Sequence, residues 1–303
     1  MTRKEEIEKL VETSAPVFEE TSDKIWEYAE LCYEETQSSA LQKKVLRELG
    51  FSIQEVKNMP TAFIASYGEG HPIVAILGEY DALANLNQEA DCDVHKPMEP
   101  GKPGHGCGHN LLGTASMCAV NAVKNYLQAH NLPGTIRYYG CPAEEGGSAK
   151  TFMVRDGLFK DCDIELSWHP AQFNYGWDGK DCLGTYNILF KFKGIAAHAA
   201  ACPQLGRSAL DACELMNVGV NYLREHIIPE ARVHYAYLNA GGTAPNVVPA
   251  EAELSYVIRA PKMSDMYDIA DRVIDCAKGA ALMTSTQMSY KVVSGTSNLI
   301  STK

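Results

Sequence analysis

The run PIVAILGEY, residues 72–80, is apolar at nearly every position instead of at every other one. A strand of that composition has to be covered on both faces, which means a sheet with helices on either side. The neighbouring segments supply the cover. Residues 3–35 are helical in period, with Ile7, Leu10, Val11, Val17 and Phe18 on repeating turns. Ser39 and Gln42 have the spacing of a capping box for a second helix that Gly50 ends. SIQEVKN and TAFIASYG are short β-type runs, residues 111–130 a helix, TIRYYGCP a strand, TFMVRDGLF a short helix and DIELSWHP a strand. This alternation predicts an α/β domain. Between Leu86 and Pro103 the chain turns polar, with Pro97 and Pro100, and is expected to form an excursion loop on the strand-end side.

Past Asp181 the order becomes strand, helix, strand, strand, helix, strand, a βαββαβ unit. Such a unit closes into a four-stranded sheet with two helices on one face, so a second, smaller domain is placed at 184–296. A length of 303 residues with 46% hydrophobic content accommodates two cores. The net charge of −11, with no basic stripe, argues against nucleic acid or an anionic membrane surface as partner. The N-terminus lacks an apolar h-region, and no apolar run approaches the roughly 18 residues of a membrane span. A soluble, cytoplasmic protein is therefore expected. The ten cysteines are scattered, several through apolar runs as at Cys118, Cys213 and Cys276, which suits buried thiols better than a disulfide framework.

Cys107 differs, because it lies in the glycine-rich turn GHGCGHN with no apolar run to bury it. With His109 it could share a metal centre if the segment is extended and both side chains project to one side. A Cys-x-His pair alone is weak evidence, and His105 is a second candidate, though the glycine-flanked spacing favours His109. CPAEEGG presents the adjacent carboxylates Glu144 and Glu145 at a strand end, either as a solvated acidic turn or because one binds a cation while the other takes a proton from water. His169 ends a strand before Pro170, as a core histidine or a ligand. Asp81, in GEYDALAN, is either a helix N-cap or the partner that orients a ligand imidazole. In the second domain His198, Asn246 and Arg259 stand at strand ends and in a Gly/Pro-bounded loop. As a set they could hold a polarised carbonyl and a substrate carboxylate, or they are ordinary surface residues.

The ordered series GEYDALAN, HGCGHNLLGTA, YGCPAEEGGSAKTFMVRDG, WHP, FKGIAAHAA, LGRSALDA, GGTAPNVVPAEAELSYVIRAP and GAALMT runs over nearly the whole chain. It resembles the aminobenzoyl-glutamate utilization protein B-like branch of the dinuclear metallo-amidohydrolases, a family of carboxypeptidase G-like metallopeptidases. The resemblance implies a mixed-sheet, zinc-peptidase-like catalytic domain over 1–183 and a ferredoxin-like lid and dimerisation domain over 184–296. It implies two divalent ions, zinc or manganese, on Cys107, His109, Glu145 and His169, with Glu144 as general base and Asp81 supporting. His198 would act in the partner subunit's site, and Asn246 and Arg259 would contact substrate.

The expected substrate is a small amide, an N-acyl or aminobenzoyl amino acid, or alternatively a basic or β-alanyl dipeptide. The expected assembly is a homodimer through the lid, with a related subunit as the other arrangement. Members of the family also return from the lid to complete the catalytic sheet and add a last histidine ligand. Residues 297–303 would begin that return, and no histidine follows His234. The catalytic domain is thus expected to be incomplete, as a fragment or a truncated, non-catalytic remnant, and the isolated chain weakly active or inactive.

Overall fold

A computed structural model describes residues 2–174, 176 and 182–300. The chain divides into two compact units, split after Asn174.

The first unit opens with α1 (Arg3–Tyr28) and α2 (Thr36–Glu48). Thr2 and Glu5 form a capping box at the start of α1. The helix stops at Tyr28, short of the predicted residue 35, because Ala29 turns left-handed at φ 42°. The expected Ser39–Gln42 capping box is absent. Both residues lie inside α2 and are buried, and the Gln42 carboxamide accepts the hydroxyl of buried Tyr138. Glu30 caps α2 instead: its two carboxylate oxygens accept the N–H groups of Gln37 and Ser38, each at 2.9 Å. The N-terminal dipole of the helix favours that negative charge.

Then come β1 (Ser52–Glu55), β2 (Phe63–Glu69), β3 (Ile73–Glu79), α3 (His109–His130), β4 (Gly134–Cys141), α4 (Ala149–Arg155) and β5 (Ile164–Leu166). The sheet order is β1-β2-β4-β3-β5. β3 is parallel to β4 and β5, while β2 runs antiparallel to β1 and β4, so the sheet is mixed. One apolar cluster contains Phe18, Ile25, Leu46, Met117, Val120 and Ile136, and another contains Ile64, Ala75, Tyr139 and Met153. Val74 and Ile76 pack against the first, Ala75 and Leu77 belong to or pack against the second. The unbroken apolar run of β3 is thus explained by cover on both faces. Residues 84–103 form the excursion loop, closed where Leu83 pairs with Gly104. No helix among the described residues is long and apolar enough to cross a membrane.

The second unit contains β6 (Gly184–Lys193), α5 (Ala209–Leu223), β7 (Arg232–Asn239), β8 (Glu251–Ala260), α6 (Met263–Thr284) and β9 (Gln287–Thr296). Its sheet is antiparallel, in the order β7-β8-β6-β9. Alternate residues of β8, from Ala252 to Ala260, are buried. They join Ile188, Phe190 and Phe192 of β6 and Met216, Val220, Val273 and Ala277 of the helices in one core. This is the βαββαβ unit that the strand and helix periods predict.

Candidate metal centre

The three parallel strands end at Glu79, Cys141 and Leu166. Just beyond those carboxyl ends stand Asp81, Glu144 with Glu145, and His169, at the edge where open α/β sheets bind ligands. α3 crosses closely over the end of β3. A Cβ at Gly113 would lie 2.5 Å from the Glu79 carbonyl oxygen, so only glycine allows the approach. That crossing brings His109, the first residue of α3, against Glu79 and Asp81. The extended segment expected for Cys107 and His109 is not found. Gly108 is left-handed, with φ 75°, and the helix starts directly after it. A tight turn, not strand alternation, brings the two side chains to one site.

Asp81 is buried, and its Oδ1 lies 3.0 Å from His109 Nδ1, while Oδ2 accepts the Glu145 N–H at 2.9 Å. The neutral imidazole therefore carries its proton on Nδ1 and turns the Nε2 lone pair outward. That Nε2 lies 3.1 Å from Glu79 Oε2, 3.9 Å from Glu144 Oε2 and 4.0 Å from Glu145 Oε1. His109 Nε2, Glu79 Oε2 and Glu145 Oε1 are buried and have no hydrogen-bond partner among the described residues. A lone pair facing several carboxylates in a buried site is unfavourable unless a cation sits among them.

Beside this cluster, Cys107 Sγ stands 3.2 Å from His169 Nε2. The other ring nitrogen of His169 donates to the Pro170 carbonyl at 2.8 Å, leaving Nε2 free to face the thiol. Donors about 2.0–2.3 Å from a shared ion stand about 3–3.5 Å from one another, which the Cys107–His169 and Glu79–His109 spacings both match. Ligand atoms of Cys107, His109 and His169, and again of Glu79, His109 and Glu144, lie within 4.8 Å of one another. The residues present fit a metal ion.

The local electrostatics agree. Burial, then the charge and hydrogen bond of Glu145, push the Cys107 thiol up to about 12. A divalent cation would reverse that, because coordination deprotonates a thiol. Burial and the neighbouring Glu79 charge raise Glu144 above the usual carboxylate range. Burial also disfavours protonation of His109, yet the Asp81 hydrogen bond and the Glu79, Asp81 and Glu145 charges outweigh it and raise its pKa. Asp81 is lowered: burial opposes ionisation, but the hydrogen bonds from His109 and the Glu145 N–H prevail.

The structure thus gathers Cys107, His109, Glu144, Glu145, His169 and Asp81. His105 stays outside, its Nε2 donating to the Ile25 carbonyl at 3.0 Å and burial lowering its pKa to about 4. Two participants escape sequence reasoning. Glu79 contributes the carboxylate nearest His109, and Lys150 on α4 pairs with the other Glu79 oxygen. The motif GEYDALAN is conspicuous in the sequence, but its first acid reads only as the end of a strand.

In the second unit His198 and Asn246 are neighbours: the Asn246 carbonyl accepts the Ala199 N–H at 2.9 Å, and His198 bridges to Val247. His198 Nδ1 accepts the N–H groups of Ala200 and Ala201, which leaves Nε2 as the donor nitrogen of the ring. Arg259 does not join them. The sheet register pairs Lys193 with Glu251 but Thr185 with Arg259, which puts Arg259 near the opposite end of β8. At about 3.3 Å per residue that is roughly 26 Å from Glu251. The three residues expected to act as a set do not form one cluster within a single unit.

The model of peptidase family M20/M25/M40 matches residues 75–296. A p-aminobenzoyl-glutamate hydrolase subunit of Escherichia coli K12 is 52% identical over 281 residues, covering 92% of this chain and 58% of that protein. The Xaa-Arg dipeptidase of Mus musculus is 30% identical over 299 residues, covering 92% and 65% respectively. The chain therefore spans under two thirds of the length of these relatives. A dinuclear metal-binding peptidase of the M20 family from Bacillus subtilis shares the fold, with a TM-score of 0.68 at 20% identity, covering 96% of this chain and 76% of that one. On a family match that takes in both units and every residue of the centre, the chain belongs to peptidase family M20/M25/M40.

Proposed function

We propose that this chain carries the catalytic centre of a metal-dependent amidohydrolase acting on an N-acyl or aminobenzoyl amino acid of the aminobenzoyl-glutamate type. The observation that carries the reading is the convergence of three buried, unpartnered donors, on Glu79, His109 and Glu145, beside the Cys107–His169 pair. Two divalent ions, zinc or manganese, would be held by Cys107, His109, Glu145 and His169, and when bound would polarise the amide carbonyl and acidify water. Asp81 fixes the His109 ring and the Glu145 backbone. Glu144 is the more exposed of the paired carboxylates, at 41% against 20% for Glu145. It therefore takes the proton of the attacking water and returns it to the leaving amine. The Nε2–H of His198, acting in a partner's site, would donate to the developing oxyanion. Asn246 and Arg259 would contact substrate, Arg259 through the carboxylate of the leaving amino acid.

The relative from Escherichia coli, named as a hydrolase subunit, supports the aminobenzoyl-glutamate reading, and its name supports a related subunit as partner. The similarity to an Xaa-Arg dipeptidase supports a second reading, hydrolysis of basic dipeptides. Assembly through the second unit is supported by α5, where Leu215, Val218 and Tyr222 form an exposed apolar stripe. The test is release of aminobenzoate or of free amino acid by the metal-loaded chain, given p-aminobenzoyl-glutamate and lysine- or arginine-containing dipeptides in parallel. Glu144→Gln should lower kcat at least about 100-fold with metal content unchanged. Turnover that survives Glu144→Gln removes Glu144 from the base role, and a chain that takes up no metal overturns the reading.

A further inference from the structure

Glu79 is the last residue of β3, and its side chain is 12% exposed. Lys150 holds one of its carboxylate oxygens. The other, Oε2, is buried without a hydrogen-bond partner among the described residues, although His109 Nε2 is only 3.1 Å away and is itself unpartnered among them. In the metal-free chain a proton on Nε2 would pair the two, whereas in the neutral ring, with the Nδ1 proton given to Asp81, Nε2 offers a lone pair toward Glu79. An oxygen lone pair and a nitrogen lone pair facing each other at a ligand-edge distance point to an ion between them.

The centre also has two chemically distinct sides. Glu79, His109 and Glu144 form an oxygen-rich group, while Cys107 and His169 present a thiol and an imidazole. Oxygen donors suit hard ions such as manganese or magnesium, and thiolate with imidazole suits zinc. His109 Nε2 can serve only one ion.

We propose that Glu79, oriented by Lys150, ligates a hard divalent ion together with His109, opposite a softer zinc-preferring side built on Cys107 and His169. The assignment rests on the metal reading above. Lys150 is a positioning residue: its ammonium fixes one oxygen of Glu79, so the other faces His109. Without it the carboxylate is free to rotate away.

The test is metal binding to the full 303-residue chain after metal depletion. Manganese and zinc are titrated by calorimetry, and cobalt(II) is added as a spectroscopic probe whose thiolate charge-transfer band reports the Cys107 side. Glu79→Gln should weaken manganese binding about 100-fold while leaving the cobalt–thiolate band in place, and Lys150→Met should weaken manganese about 10-fold. Far-UV circular dichroism checks that both variants fold, and the Lys150 variant carries the test if Glu79→Gln does not. Manganese affinity unchanged in the folded variants overturns the proposal, as does loss of manganese and the cobalt–thiolate band together in a folded Glu79→Gln. A wild-type chain that binds no ion overturns the metal reading and this inference with it. A wild-type chain that binds ions which Glu79→Gln binds equally well overturns only the inference.

Discussion

Glu35 carries a fully buried carboxylate under the loop that presents Glu144 and Glu145. Its Oε1 accepts the N–H groups of Tyr33 at 3.0 Å and Ala143 at 2.8 Å, while Oε2 has no partner among the described residues. Ala143 is left-handed, with φ 56°, so the loop needs such an anchor. Burial raises the Glu35 pKa, against backbone hydrogen bonds, those of Ala143 and Tyr33 among them, that favour the ionised form. A raised folded-state pKa means that the Glu35 contribution to stability is complete below the ordinary value near 4.5 and is lost as pH rises through the folded value. Glu35→Gln keeps the accepting oxygen and removes the charge. It should match wild type in acid and equal or exceed it at pH 7, whereas Glu35→Ala should lose about 1–3 kcal/mol, read by urea unfolding. A Gln variant less stable than wild type at pH 7 would show that the charge itself is needed. The limits of the sequence appear here in concrete form. Cys107, His109, Glu144, Glu145, His169 and Asp81 are legible because reactive side chains stand beside Gly and Pro where strands end. Glu35, Glu79 and Lys150 are not, because each lies within or next to a regular element where a charged residue reads as solvated. Their roles depend on contacts 71 to 108 residues away in sequence.

At the scale of elements, periodicity predicts all nine strands found among the described residues, and the errors are local. The Ser39–Gln42 spacing fits a capping box equally well whether it stands at a helix start or inside one, and only the buried Tyr138 hydroxyl tells the cases apart. β3 and β5 make a sharper contrast, since both carry Ile and Leu. β3 is paired on both sides and covered on both faces. β5 pairs only with β3 among the described residues, and Ile164 and Leu166 are 49% and 51% exposed. An unpaired, apolar strand edge is a template for association with another chain. Ile164→Lys or Leu166→Lys should therefore reduce self-association of the isolated chain, measured by light scattering across a concentration series, while changing stability by no more than about 0.5 kcal/mol. Unchanged association in both variants would place the sticky surface elsewhere, with the exposed stripe of α5 the next to examine.

At the scale of the whole molecule, the apolar clusters keep to their own units: one is drawn from the second unit only, the other two from the first. Among the described residues, the donors that fit a metal ion all belong to the first unit. A ligand stabilises the cooperative unit that binds it, by about 2.7 kcal/mol at a hundredfold excess over Kd. For a unit of this size that is about 5–10 °C. Scanning calorimetry of the metal-depleted chain should resolve two transitions, of which manganese or zinc raises one, and a chelator should return it. The same transition should carry the pH dependence of His109. Its folded-state pKa lies above 6.5, so in the metal-free chain that stabilisation is complete below 6.5 and is lost as pH rises through the folded value. Bound metal substitutes for the proton and should remove that decline. His109→Asn should abolish both the metal shift and the decline, and leave the other transition where it was. If instead the whole chain melts in one step that metal moves entire, the two cores are energetically a single unit, and ligand binding at the strand ends of the first is felt by the βαββαβ sheet of the second.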